Sequence, residues 1–213
     1  VAVFLNSERE ESVKGRYIDG QVYLPVNWVD EAVNERFYWD EENSQLIYTL
    51  PDQIVYANEE TMGSSGKPLL VQQDGTVWLL SSLVSTYTNV RIEAFDTDGV
   101  HRVFVDTTWE PQQLAKVKKN TALRIRGGVK SALITEVLSG TEVTVLEQLE
   151  NWSRVRTEDG QVGYLPNRRL KETEARTLVS TFQEPEYTSI SMDEPVAVSY
   201  THLRAHETRH DLV

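Results

Sequence analysis

Ile18-Asp19-Gly20-Gln21-Val22-Tyr23-Leu24-Pro25 returns 55 residues later as Gln73-Asp74-Gly75-Thr76-Val77-Trp78-Leu79-Leu80. Asp-Gly ahead of alternating apolar residues predicts a tight turn that launches a strand. A short run with helical spacing follows each strand: Val26, Val29 and Val33 in the first copy, Leu80, Leu83, Val84 and Tyr87 in the second. A hairpin pattern comes next in both. The first is Phe37–Asp40, a polar turn at Glu41–Ser44, and Leu46–Thr49. The second is Val90–Asp96, a turn at Thr97-Asp98-Gly99, and Val100–Val105. The order strand, helix, strand, strand thus occurs twice, joined through residues 51–70. Neither copy has enough apolar faces to close a core alone, so the two are expected to pack together.

Asp-Gly-x-Val-Tyr-Leu-Pro, a short helix, then Tyr38-Trp39-Asp40 and a strand resembles the copper amine oxidase N-terminal-like domain, over about residues 1–109 with repeats at about 1–52 and 53–109. The second copy departs from that pattern, with Leu80 in place of the proline and Phe95 in place of the tryptophan. The resemblance implies an accessory module of bacterial envelope proteins and no copper. Only His101 falls within this stretch, and a lone histidine here reads as a strand-surface residue.

A second pattern follows a polar entry at Lys116–Asn120. It runs through Leu123-Arg124-Ile125-Arg126-Gly127, Gly140-Thr141-Glu142-Val143-Thr144-Val145-Leu146, Asn151-Trp152-Ser153-Arg154-Val155 and Asp159-Gly160-Gln161-Val162-Gly163-Tyr164-Leu165. Short alternating strands punctuated by glycine turns predict a small β-barrel, with Val143, Val145, Val155 and Val162 facing inward. Asp159-Gly160 is expected to form a hairpin turn. These elements, in order, resemble the bacterial SH3-like (SH3b) domain over about residues 116–171, apart from Gly127-Gly128-Val129-Lys130 in the first loop. The fold class expected is therefore an α+β double β-α-β-β repeat domain followed by an all-β SH3-like barrel.

That resemblance implies a targeting module, often directed at a cell-wall peptide or glycan. Trp152 and Tyr164 offer flat amphipathic surfaces for such a ligand, with Arg124 and Arg126 beside them. The competing reading has Trp152 closing the barrel and Tyr164 packing on its end. For Arg124, Arg126, Arg154 and Arg156, which alternate along their strands, it has a solvated strand face.

The chain has 33 acidic and 21 basic residues, a formal charge of −12, and no cysteine. The acidic balance argues against nucleic-acid wrapping, which needs a basic face, and against adsorption to anionic lipid. Disulfides and thiolate zinc sites are excluded, and no stretch approaches the roughly 20 apolar residues of a membrane helix. The chain starts at Val1, which is expected of an internal fragment or processed product. An extracellular or envelope location follows from the resemblances alone.

Residues 172–198 are expected to be a linker and the start of a missing domain. Glu194-Pro195-Val196 resembles the first strand of a family 18 glycoside hydrolase barrel. His206-Glu207-Thr208-Arg209-His210 matches the zincin motif His-Glu-x-x-His, with His202 one turn back. Only three residues follow His210, so no further ligand or cleft can be supplied downstream. Residues 199–213 also resemble a translated sequencing-library adapter, and a non-native tail is the better account. With no base–nucleophile pair or metal site inside a foldable domain, no catalytic residue, cofactor or metal is expected. The function expected is non-catalytic envelope binding or positioning, in a chain cut before a hydrolase. A structural spacer or oligomerisation role is the alternative, and a zinc peptidase the remote one.

Overall fold

The computed structural model describes residues 1–50 and 53–177. In chain order the first part comprises β1 (Ala2–Leu5), β2 (Glu8–Lys14), β3 (Arg16–Ile18), β4 (Gln21–Pro25), α1 (Val26–Ala32), β5 (Phe37–Asp40), β6 (Gln45–Thr49) and β7 (Ile54–Ala57). It continues with β8 (Leu70–Gln73), β9 (Thr76–Leu80), α2 (Ser81–Tyr87), β10 (Arg91–Thr97) and β11 (Val100–Asp106).

Local chemistry explains the turns. Asp19-Gly20, Asp74-Gly75 and Asp98-Gly99 all have positive φ at both residues, the pairing that a two-residue type I′ hairpin loop requires. Thr97, expected in the turn, is already a strand residue, because the loop needs only Asp98 and Gly99, and Val100 opens the next strand as expected. Pro25, at φ −68°, ends β4 and opens α1, and its ring already holds the backbone near helical φ. Each helix is only seven residues long and is held by one apolar face, Val26 and Val29 in α1, Leu83 and Val84 in α2.

The equivalent strands of the two sequence copies lie side by side. β4 pairs antiparallel with β9, Tyr23 opposite Leu80, Leu24 opposite Leu79 and Pro25 opposite Trp78. The repeat equates Tyr23 with Trp78 and Pro25 with Leu80, so the pairing is a local two-fold centred on Leu24 and Leu79. A four-stranded sheet in the order β3-β4-β9-β8 results, flanked by β5-β6-β7 and by β10-β11-β1-β2. One apolar cluster draws on both copies, with Leu24, Val29 and Tyr48 from the first and Leu79, Val84 and Val105 from the second. Each such leucine or valine contributes about 1.5–3 kcal/mol by leaving water. Within the connection, residues 53–70 hold a strand the sequence reading did not include: β7 extends the first hairpin, and β8 begins at Leu70.

The second part comprises β12 (Gln113–Val117), β13 (Thr121–Arg124), β14 (Leu133–Val137), β15 (Glu142–Gln148), β16 (Trp152–Thr157), β17 (Val162–Pro166), a 3-10 turn (Asn167–Arg169) and β18 (Leu170–Glu172). They form one sheet in the order β14-β13-β17-β16-β15-β12-β18. It curls around its own core of Ala115, Val117, Leu123, Val137, Val143, Val155 and Leu165. The expected polar entry holds at Lys116 and Lys118–Asn120, which are exposed, but it is preceded and overlapped by a core strand: in β12 Ala115 and Val117 are buried while Lys116 between them points to solvent. Val143 and Val155 face inward as expected, and Val145 packs at the margin of the core. Val162 does not face inward. On β17 the buried residues are Gly163 and Leu165, which leaves Val162 and Tyr164 on the other face. Asp159-Gly160 lies in the hairpin turn between β16 and β17 as expected, in a loop longer than two residues. Only Gly160 is left-handed, at φ +78°, and its N–H donates to Thr157 O while Thr157 N–H donates to Gln161 O. That is a type I turn closed by a glycine bulge.

The linker expected from residue 172 begins later, because Glu172 ends β18 and Thr173 and Arg176 still hydrogen-bond to Leu114 and Gln112; residues 178–198, with Glu194-Pro195-Val196, and His206–His210 lie outside the described residues. Among the described residues no helix is long and apolar enough to cross a membrane. None of their His, Asp and Glu side chains group so as to hold a metal ion. His101 stacks on Tyr17, with ring centroids 3.9 Å apart, and its Nδ1 lies 3.7 Å from Asp96 Oδ2.

Candidate functional site

The β10-β11-β1-β2 sheet has two apolar faces. Val3, Val103 and Val105 enter the main core, and alternation sends Phe4, Phe95 and Phe104 to the opposite side. Phe4 and Phe104 stack at 4.6 Å, and Phe95 meets Phe104 edge-on at 5.6 Å. Phe4 and Phe104 are buried, yet they belong to neither apolar cluster. Phe104 is covered by a side chain of β16.

Arg156 of β16 places its guanidinium over the Phe104 ring, 4.7 Å from the centroid, with 3% of its side chain exposed. Its Nη2 lies 3.7 Å from Glu93 Oε2 and its Nη1 3.8 Å from Asp106 Oδ2. Arg91 joins the group through a 2.5 Å ion pair to Glu93. The pairing is loose: Arg156 Nη1, Asp106 Oδ2 and Arg91 Nη1 are buried without a hydrogen-bond partner among the protein atoms. Burial accordingly raises the Asp106 carboxyl above its ordinary value, and the nearby Arg156 and Arg91 charges offset that only in part. Burial also lowers Arg156. A cavity of about 170 Å³ adjoins this group, with Arg91, Glu93, Arg156 and Arg176 in its wall.

Further along the same seam the contacts are close. Thr97 Oγ1 donates to Asp159 O at 2.7 Å. Gly160 lies so near Phe95 that an added Cβ would stand 2.4–2.8 Å from its side-chain carbons. Burial would raise Asp159, but hydrogen bonds from Thr157 and Gln161 outweigh it and hold the carboxyl below its ordinary value. Arg154 pairs with Glu8 and donates from Nη2 to Ser7 O at 2.8 Å. The reading of Arg154 and Arg156 as a solvated strand face is therefore corrected. The sheet they meet has an uncovered aromatic side, and both arginines pack into it.

Beyond Arg154 the two parts diverge into a cleft of about 650 Å³. One wall carries Phe4, Glu8, Arg9 and Arg102, the other Ile125, Ile134, Arg154, Val162 and Tyr164. Of the sequence-derived candidates, Arg124 and Tyr164 are cross-strand partners, and Tyr164 is in turn opposite Arg154. Tyr164 lines the cleft. Arg124 braces the first loop, donating to Ser131 O at 2.5 Å. Trp152, half-buried on the same face as Arg154, lies against Gly127 and closes the end of the sheet over that loop. Arg126 is exposed on the loop after β13, where only its backbone N–H is engaged, by Ser131 Oγ at 2.9 Å.

Sequence reasoning missed Arg9, Arg102 and the phenylalanine face. The signal was present in Arg102-Val103-Phe104-Val105, where both registers are apolar, as in a strand covered on both sides.

Residues 123–170 match the family described as the bacterial dipeptidyl-peptidase SH3 domain. The match runs from β13 into β18, so the curled sheet is a bacterial SH3-like domain, consistent with a non-catalytic binding module. No curated protein and no solved structure matches the chain.

Proposed function

We propose that the chain is a non-catalytic binding and positioning portion of a bacterial envelope protein, directed at cell-wall peptide or glycan. The observation that carries this reading is the cleft beside the SH3-like domain. Tyr164 and Ile125 supply apolar surface there, and arginines stand on both walls in a protein whose net charge is −12. A basic cluster against that background favours one specific anionic or amphipathic ligand over general attraction to polyanions. Tyr164 contributes to the wall, Trp152 and Arg124 shape its barrel side, and Arg126 stands free beside it.

In this reading residues 1–109 form a duplicated α+β module similar to the copper amine oxidase N-terminal-like domain, and residues 116–171 the SH3-like module. The parent protein acts outside the cell and continues into a wall-active enzyme such as a family 18 glycoside hydrolase. Retention of the full chain on purified peptidoglycan sacculi is the test. Retention that falls when Tyr164→Ala is introduced is expected, and failure of the chain to be retained removes the wall-binding claim.

A second reading, that the SH3-like module is a structural spacer, is favoured by Arg154 and Arg156. Both spend their charges on the neighbouring sheet. Under that reading the sacculi experiment fails while the seam variants discussed below still destabilise the chain.

A further inference from the structure

We infer that the cleft is a composite site for a peptide bearing a free carboxylate, read by arginines of the first sheet and by the apolar face of the SH3-like module together. This rests on the binding-module reading above and adds which ligand chemistry the site takes and which half of the chain supplies its charge.

Three arginines line the cleft, Arg9, Arg102 and Arg154, against Glu8 and Glu147. Glu8 is already taken by Arg154. Arg102 has a buried Nη1 with no hydrogen-bond partner. Asp159 is close enough to feel the Arg102 charge, but its oxygens accept from Thr157 and Gln161. A buried guanidinium N–H left unmatched is costly, and a carboxylate oxygen is the acceptor that matches it best. Arg9 is open to solvent on the same wall, with an exposed ion pair to Glu11 that contributes little and is easily exchanged.

The opposite wall is apolar apart from Glu147, Arg154 and Gln161. Ile125 is 56% exposed, and Ile134, Val162 and Tyr164 continue its surface. A ligand that uses both walls has an apolar body and an anionic group, and the volume falls within the roughly 300–1,000 Å³ of small-ligand sites. Nucleic acid does not fit, because its repeated charge would meet the acidic remainder of the protein.

The test is a titration of the full chain with N-acetyl-Ala-Val-Ala carrying either a free carboxylate or a C-terminal amide, followed by calorimetry and amide NMR. The free acid is expected to bind at least about tenfold more tightly than the amide, the factor that about 1.4 kcal/mol of charge-assisted hydrogen bonding supplies. Amide shifts are expected on both walls, at Phe4 and Arg102 and at Val162 and Tyr164. Arg102→Met is expected to remove the preference for the acid. Arg9→Ser, at an exposed site that leaves the fold intact, is expected to weaken the acid severalfold and the amide not at all. Equal affinity for the two peptides, no binding of either, or shifts confined to the SH3-like wall would each overturn the inference. Retention on sacculi without any response to these peptides defeats the inference and leaves the wall-binding reading standing. Peptide binding without retention does the reverse.

Discussion

Arg156 holds its charge on a side chain only 3% exposed, above Phe104 and between two carboxylates at 3.7 and 3.8 Å, with one of its nitrogens unmatched. Such a group is a poor source of net stability, yet its removal alone is damaging because it leaves the buried Asp106 and the neighbouring Glu93 with Arg91 as their nearby counter-charge. Arg156→Met is therefore expected to lower unfolding free energy by about 3–5 kcal/mol. Adding Asp106→Asn should recover a large part of that loss, as measured by urea denaturation. Asp106 also sets a pH dependence. Its carboxyl is raised in the folded state, so between the ordinary value and the raised one the folded chain holds a proton that the unfolded chain has released. The stability it contributes is complete below the ordinary carboxylate range and is lost as pH climbs through the raised value. Asp106→Asn should then gain on the wild type as pH is taken from mildly acidic to neutral; a constant difference would show that Asp106 does not titrate in this way. At Gly160 two costs coincide, a φ of +78° and the Phe95 ring where a Cβ would sit, whereas Gly140, at φ +88°, has nothing within 4 Å. Gly140→Ala should cost about 1–2 kcal/mol from backbone strain alone. Gly160→Ala should cost about 1–3 kcal/mol more, from overpacking against Phe95.

Among the elements, β12 carries the clearest consequence. Gln113–Val117 lies between β15 and β18, with Ala115 and Val117 in the core. Ala115→Leu is expected to destabilise by about 1–3 kcal/mol, while Lys116→Leu, on the solvent side, changes stability by less than about 0.5 kcal/mol. Thermal denaturation of the two variants separates them, and equal effects would remove β12 from the core. This strand also marks where sequence reading stops. β4, α1, β5, β6 and their later counterparts were legible because each is announced locally, by Asp-Gly or by a strict apolar period. β12 was not, since Ala-Lys-Val is too short and too polar to declare a period, and its partners lie 25 or more residues away in β15 and β18. The N-terminal hairpin was hidden for another reason. Its turn is Asn6-Ser7, both at positive φ with no glycine to signal it. Asn6 gains its hold from tertiary contacts instead, accepting from Thr107 N–H at 2.8 Å across 101 positions. The parallel pairing of β1 with β11 has the same long-range origin. In the candidate site, Tyr164 was found as an amphipathic aromatic of the SH3-like pattern and Arg124 through its alternation along the strand. The cleft itself was not, because it exists only where two parts that fold on separate cores meet.

Taken whole, the molecule is two cores joined through a third, mostly aromatic and charged layer: Phe4, Phe95 and Phe104 on one side, Arg154, Arg156 and the Gly160 turn on the other. The sheet that carries the phenylalanines would expose a large apolar face if the SH3-like domain swung away, and exposed patches of that kind are rare in soluble proteins. The same contact sets the distance between Arg102 and Tyr164, and with it the cleft. Fixed relative orientation is thus the claim from which both the seam energetics and the composite site follow. Residual dipolar couplings for backbone amides in residues 2–106 and 113–172, recorded on one weakly aligned sample, test it most directly. The account predicts that a single alignment tensor fits both sets within error. Two tensors of different magnitude and direction, as from modules reorienting independently, would contradict it.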